Sequence, residues 1–268
     1  MNVERIADQR AADALGVHLC PVVSALTAQH SREVEAVFPV PAAQLESQLR
    51  ALSGDLPPRA IKTGLLGSVT AIETVARWVD HWRAQTPAGS DPHRQLALIV
   101  DPVLGDGGRL YSGLGADMVP AMYSLCSKAD LIVPNVTEAA LLLGDPLPGV
   151  GSAEQAAAQA ARLTRVAPQV VVTGVTGIGG GRYIGCVGAA RGGEGYAVKT
   201  PLQPRMFHGT GDIFAAVLVG RILRGNVPQA AVQAAAAFVA ECIRQTPEGA
   251  DERLGVWLEN ALPKLRQE

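Results

Sequence analysis

Short β-branched runs alternate along this chain with longer segments whose apolar residues recur every three or four positions. LCPVVSAL (19–26), RAIKTGLL (59–66), QLALIVDPV (95–103), DLIVPN (130–135) and QVVVTGVT (169–176) read as strands, most of them apolar throughout. A strand of that kind needs cover on both faces, the environment of a parallel sheet between helical layers. PAAQLESQLRAL (41–52), TAIETVARWVDHWRAQ (70–85), GADMVPAMYSLCSKA (115–129) and AEQAAAQAARLTRVA (153–167) carry the helical period. The alternation predicts an α/β fold with a mostly parallel sheet covered by helices on both faces. GRYIGCVGAARGGEGYAVKTPL (181–202) breaks the rhythm, and its two alternating runs about a glycine-rich turn predict an antiparallel hairpin at the sheet edge. A helix from about 210 to 223 and helical stretches near 227–245 and 251–265 complete the chain. No internal repeat and no Pro-, Ser- or charge-rich linker interrupts it, so residues 1–268 are expected to form a single domain.

Composition narrows the partners. A length of 268 residues with 48% apolar residues suffices for one large core. The formal charge is −2, from 23 basic and 25 acidic residues, so no basic field advertises a nucleic-acid partner and small anions must be held locally. Cys20, Cys126, Cys186 and Cys242 are scattered without metal-ligand spacing, which fits reduced thiols in a cytoplasmic protein. No apolar stretch is long enough to span a bilayer, so no membrane partner is expected.

In such a sheet ligands bind beyond the carboxyl ends of the strands. Five polar clusters fall there: KTG (62–64), DPVLGDGGRLY (101–111), PNVTE (134–138), TGVTG (173–177) and GTGD (209–212). Each has a structural explanation of its own. Asn135 and Glu138 have the spacing of a capping box, Asp212 suits the first turn of any helix, and Asp101 can simply end a strand. TGIGGGR (176–182) reads as a turn, since a strand rather than a helix follows, and no Walker-type Gly-Lys-Ser/Thr is present. Convergence on one edge favours chemistry, and the chemistry is phosphoryl transfer. Backbone N–H groups at Gly209, Thr210 and Gly211, backed by a helix dipole, suit a phosphate, and Asp212 beside them suits the proton of an attacking hydroxyl. Asp101 and Glu138 offer hard oxygens to magnesium, and Lys62 and Thr173 offer contacts to phosphate oxygens.

HGTGDIFAAVLVGRIL, DPVLGDGGRLY and SKADLIVPNVTEAALLLG resemble the pyridoxal (pyridoxamine) kinases of the ribokinase-like superfamily. ADALGVHLCPVVSALTAQHSREVEAVFPVPAAQLESQLRAL and IKTGLLGS are similar instead to hydroxymethylpyrimidine/phosphomethylpyrimidine kinases of thiamine synthesis. The resemblance, from about residue 7 to about 245, implies a ribokinase-like fold, a homodimer, and transfer of phosphate from Mg-ATP to a hydroxymethyl group on an aromatic nitrogen ring. It makes Asp212 the catalytic base and Gly209, Thr210 and Gly211 the anion hole. It assigns Asn135 and Glu138 to magnesium and phosphate, Asp101, Asp106, Tyr111 and Thr173 to ATP, and Asp8 and Gln29 to the ring.

Two departures qualify the pattern. Family members begin with a strand and a Gly/Ser-rich loop before the position of Asp8, whereas here MNVERI precedes it, so the first strand is expected to be missing. Many pyrimidine kinases carry Cys at the position of Asp212, which tilts the expected acceptor toward pyridoxal or pyridoxamine over hydroxymethylpyrimidine. A sugar kinase of the same superfamily, and a non-catalytic vitamin or nucleotide binder whose missing strand a partner supplies, are the remaining readings.

Overall fold

A computed structural model describes residues 3–30, 33–55, 58–85, 97–147, 151–205, 207 and 209–267. Gln95 and Leu96 of the predicted third strand, and Met206 and His208 ahead of the glycine box, lie outside these residues. A six-stranded sheet forms the centre. Its strands are β3 (Ala60–Thr63), β4 (Ala97–Val100), β7 (Leu131–Ile132), β8 (Gln169–Ile178), β9 (Tyr183–Ala190) and β10 (Tyr196–Pro201), in the order β10-β9-β8-β7-β4-β3. β3, β4, β7 and β8 run parallel, and β9 and β10 are the predicted antiparallel hairpin at the edge. Two short ribbons stand outside this sheet, β1 (Ala25–His30) with β2 (Glu33–Pro39), and β5 (Gly105–Asp106) with β6 (Arg109–Leu110).

Successive side chains of a strand point to opposite faces, and both faces here are buried. Leu98 and Val100 of β4, Ile132 of β7 and Val170 and Val172 of β8 enter one core, which also holds residues of α2 (Ala42–Asp55), α3 (Val69–Ala84), α4 (Met118–Cys126), α5 (Val136–Leu143) and α6 (Ala153–Leu163). Ile99, Leu131 and Val171 enter the other, with α1 (Val3–Ala14), α7 (Thr210–Leu223), α8 (Pro228–Gln245) and α9 (Leu258–Gln267). Double cover explains why these strands lack polar alternation. Among the described residues, no helix is long and apolar enough to cross a membrane.

The amino-terminal region differs from the expectation. The predicted strand 19–26 starts only at Ala25 and pairs with β2 in a separate ribbon. Among the described residues none pairs with 17–24 in a ladder. The Gln48 amide stands in for a neighbouring strand, accepting from Val23 N–H and donating to Val23 O, both at 3.0 Å, while Ser24 Oγ donates to Leu65 O at 2.7 Å. Helix α1 was not predicted at all, because its buried stripe is made of Ala7, Ala11 and Ala14, too small to mark an apolar face. It packs along α7, and Arg224 Nη1 donates to Leu15 O at 3.3 Å.

Candidate active site

The parallel strands end together, and each delivers a polar residue at its carboxyl end. β3 brings Lys62, and β4 runs into Asp101, whose N–H donates to Thr63 O at 3.3 Å. β7 leads through Pro134 to Asn135, which forms a parallel bridge with Thr173 of β8. Thr173 N–H donates to Pro134 O at 2.9 Å, closing the sheet beneath these residues.

Asn135 starts α5 as the spacing predicts. Its Oδ1 accepts from the N–H groups of Thr137 and Glu138, both at 2.9 Å, and Glu138 Oε2 accepts from Asn135 N–H at 2.9 Å. The second oxygen of Glu138 does more than cap. Oε1 accepts from Leu104 N–H at 3.1 Å, Asn135 Nδ2 donates to Gly105 O at 2.8 Å, and Gly108 N–H donates to Thr137 Oγ1 at 3.0 Å. The first turn of α5 thereby pins the β5–β6 hairpin over the strand ends. Asp106 sits exposed at the hairpin, accepting from Gly107 N–H at 2.7 Å, and Tyr111 N–H donates to Leu104 O at 2.9 Å.

α7 opens on Gly209, whose φ of 81° is left-handed and suits glycine. Thr210, Gly211 and Asp212 form the first turn, where helix geometry leaves N–H groups without intrahelical acceptors. A Cβ built on Gly211 meets nothing within 4 Å, so there is room beside this turn. Thr210 Oγ1 turns back to Phe207 O at 3.3 Å.

Charge ties these pieces together. Burial pulls the Lys62 ammonium down, but Asp8, Asp101 and Asp212 outweigh it and hold its pKa above the ordinary value. Partial burial, then the carboxylates of Glu138, Asp106, Asp101 and Asp212, push the Tyr111 phenol up. Burial and neighbouring Asp101 raise Glu138 well above the usual carboxylate range. Lys62, Asp101, Asp106, Tyr111, Glu138 and Asp212 therefore share one electrostatic neighbourhood. Two ring candidates fare differently. Asp8 is joined to Lys62 at 3.0 Å through both oxygens, whereas Gln29 lies exposed on the β1–β2 ribbon, opposite Val34 beside a bulge. Sequence reasoning missed the Asp8–Lys62 pair, whose partners are 54 residues apart, and missed Thr137 as a hairpin anchor.

A profile of the phosphomethylpyrimidine kinase family matches residues 6–256. The chain belongs to the phosphomethylpyrimidine kinase family. A hydroxymethylpyrimidine/phosphomethylpyrimidine kinase of Bacillus subtilis is 29% identical over 255 residues, covering 90% of this chain and 83% of the relative. The thiamine biosynthesis bifunctional protein ThiED of Geobacter sulfurreducens is 29% identical over 243 residues, covering 89% of this chain, which spans 46% of that longer protein. A candidate phosphomethylpyrimidine kinase from Bacteroides thetaiotaomicron, crystallised with pyridoxal, superposes with a TM-score of 0.84 at 27% identity, covering 97% of this chain and 89% of the other. Solved pyridoxal kinases share the fold, some of them in complex with ADP. Membership places the chain among the kinases and makes its sheet the ribokinase-like one that the sequence predicts.

The metal expected from the sequence is the magnesium of a bound nucleotide. Among the described residues no group of three or more His, Cys, Asp or Glu side chains forms a metal cage. A nucleotide's magnesium needs none, since it keeps several waters and takes one or two carboxylates alongside the phosphates. Asp101 and Glu138 fit that role as neighbouring hard-oxygen donors. Both Glu138 oxygens already accept backbone N–H groups, so Glu138 suits a water-bridged position.

The hairpin offers a test of its own. A Cβ on Gly105 would collide with the Arg109 carbonyl across the ribbon. Gly105→Ala is expected to displace β5–β6 and raise KM for ATP about tenfold with the fold retained, since small misplacements of positioning groups are costly. Steady-state kinetics beside a circular dichroism spectrum check it, and an unaltered KM would remove the hairpin from the nucleotide site.

Proposed function

We propose that this chain, as one domain over residues 1–268, transfers the γ-phosphoryl group of Mg-ATP to the hydroxymethyl group of a B-vitamin ring. The observation that carries the reading is the meeting of an open helix amino terminus at Gly209–Gly211 with Asp212, Asp101 and Lys62 at the ends of parallel strands. The acceptor hydroxyl gives its proton to Asp212 while its oxygen bonds to the γ-phosphorus. The bond from that phosphorus to the bridging oxygen breaks, and ADP leaves. The N–H groups of the α7 first turn receive charge on the equatorial oxygens, and Thr173, Asn135, Asp106 and Tyr111 line the nucleotide side. Asp101 and Glu138 would hold the magnesium of the nucleotide, which would supply charge neutralisation on the phosphates. A homodimer in the cytoplasm belongs to the same proposal.

Two rings compete for the acceptor position. The names of the family and of the Bacillus relative favour hydroxymethylpyrimidine, and we place it first. Pyridoxal or pyridoxamine, to which the sequence alone tilts, is the second reading, supported by the Bacteroides crystal with pyridoxal. ADP release by the purified chain with Mg-ATP and each ring in turn decides between them, and no release on any ring would overturn the proposal.

Gln29 is the ring reader under test. An aminopyrimidine edge presents a donor and an acceptor that an amide can pair with, whereas pyridoxal presents a phenolic oxygen and an aldehyde. Gln29→Ala is expected to lower kcat/KM for hydroxymethylpyrimidine by about tenfold, the worth of one hydrogen bond, and to leave pyridoxal use within about twofold. Equal losses on both rings would remove Gln29 from ring selection.

A further inference from the structure

Lys62 is placed in an unusual position for a cation. Its side chain is 12% exposed, and its Nζ donates to both carboxylate oxygens of Asp8 at 3.0 Å. A lysine held that far from water is costly unless well paired, and Asp8 supplies the pairing from a different layer, since it belongs to α1 and Lys62 to β3. On β3 Lys62 lies beside Ile99 of β4, two residues before Asp101, and α7 with Asp212 in its first turn packs on the same strand. One ammonium therefore stands among the carboxylates of Asp8, Asp101 and Asp212. Into this group the reaction must bring a chain of phosphates, themselves anionic.

We propose that Lys62 is a positioning residue for phosphoryl transfer, its ammonium clamped by Asp8 where it offsets the charge of Asp101 and Asp212 and lets the γ-phosphoryl group reach the acceptor hydroxyl. The clamp has a second use. A lysine on a flexible four-carbon stem that was not held by Asp8 would settle on the nearest other carboxylate and occupy the oxygen that must take the acceptor's proton. Two-oxygen pairing to α1 holds the charge in one place close to Asp212. The inference rests on Asp212 being the proton acceptor proposed above.

The test uses the full chain with Mg-ATP and the ring that turns over, comparing Lys62→Met, Lys62→Arg, the double substitution Lys62→Met with Asp8→Asn, and Asp212→Ala. Lys62→Met is expected to lower kcat about 100-fold, the scale of losing one preorganised charge-stabilising donor, while KM for the ring stays within about threefold. Lys62→Arg, which keeps the charge, is expected to recover to within about tenfold of the unaltered chain. The double substitution removes both partners of the pair, so it is expected to restore the melting temperature and remain slow. Recovery of turnover together with stability in the double variant would reduce the pair to a tie between α1 and the sheet and overturn the inference, as would unaltered kcat in Lys62→Met. An unaltered chain that turns over and depends on Asp212 but not on Lys62 sinks this inference alone, whereas absence of turnover in the unaltered chain sinks the proposed function and this inference together.

Discussion

Replacing Asp212 with alanine is expected to lower kcat roughly a thousandfold and to leave KM for ATP within about threefold, the signature of losing a proton acceptor rather than a binding contact. The split follows from position. Asp212 is the third residue of α7, after Thr210 and Gly211, so in the proposed mechanism its carboxylate borders the phosphate site without building it. The donors of that turn are backbone groups and survive the substitution. Removal of a carboxylate also relieves repulsion toward the phosphates, which is why nucleotide affinity should not fall. Steady-state kinetics with the ring that turns over check the split. Retained kcat would transfer the base to another group, and a loss confined to KM would make Asp212 a binding residue.

Glu138→Ala carries the second large effect, and it falls first on the fold. Glu138 is 3% exposed, and its carboxylate satisfies the N–H groups of Asn135 and Leu104 in the interior. Truncation leaves two donors without partners, each costing about 1–3 kcal/mol, against which the relief of burying a charge is a partial offset. A net loss of about 3 kcal/mol lowers the melting temperature by roughly 6–12 °C in a chain of this size. The β5–β6 hairpin then loses one of its three ties to α5, so KM for ATP is expected to rise about tenfold in molecules that remain folded. Glu138→Gln keeps one acceptor but turns an amide N–H₂ toward the other donor, and should lose about half as much stability. Differential scanning calorimetry decides. An unaltered transition in Glu138→Ala would mean that the two N–H groups find other acceptors.

The parts legible in the sequence are those set by neighbours in the chain. The doubly covered strands declare themselves by uninterrupted apolar runs, the β9–β10 hairpin by a glycine-rich turn between alternating runs, and the Asn135–Glu138 cap by three-residue spacing. What escaped depends on distant partners. Residues 19–24 have strand composition, yet a strand exists only where a ladder partner does, and the Gln48 amide took that place. α1 was hidden by its alanines, and with it went the carboxylate partner that Asp8 gives Lys62. Glu138 was legible as a cap and as a metal candidate, but its grip on Leu104 comes from a loop 34 residues away that no spacing rule reaches.

The β1–β2 ribbon has a different consequence. None of its described residues from 26 to 30 and 33 to 39 belongs to either core, and Val37 rests on the loops at Gly67 and Gly113 while Leu26 and Phe38 face outward as a cross-strand pair. Substitutions there cost little global stability, because no interior packing is disturbed. The parallel strands lie instead between two close-packed cores, with Leu98, Ile132 and Val172 in one and Ile99, Leu131 and Val171 in the other, where a change in volume is felt. Divergence can therefore proceed at unequal speeds within one chain, with the ribbon free to drift while the sheet and its two cores stay fixed.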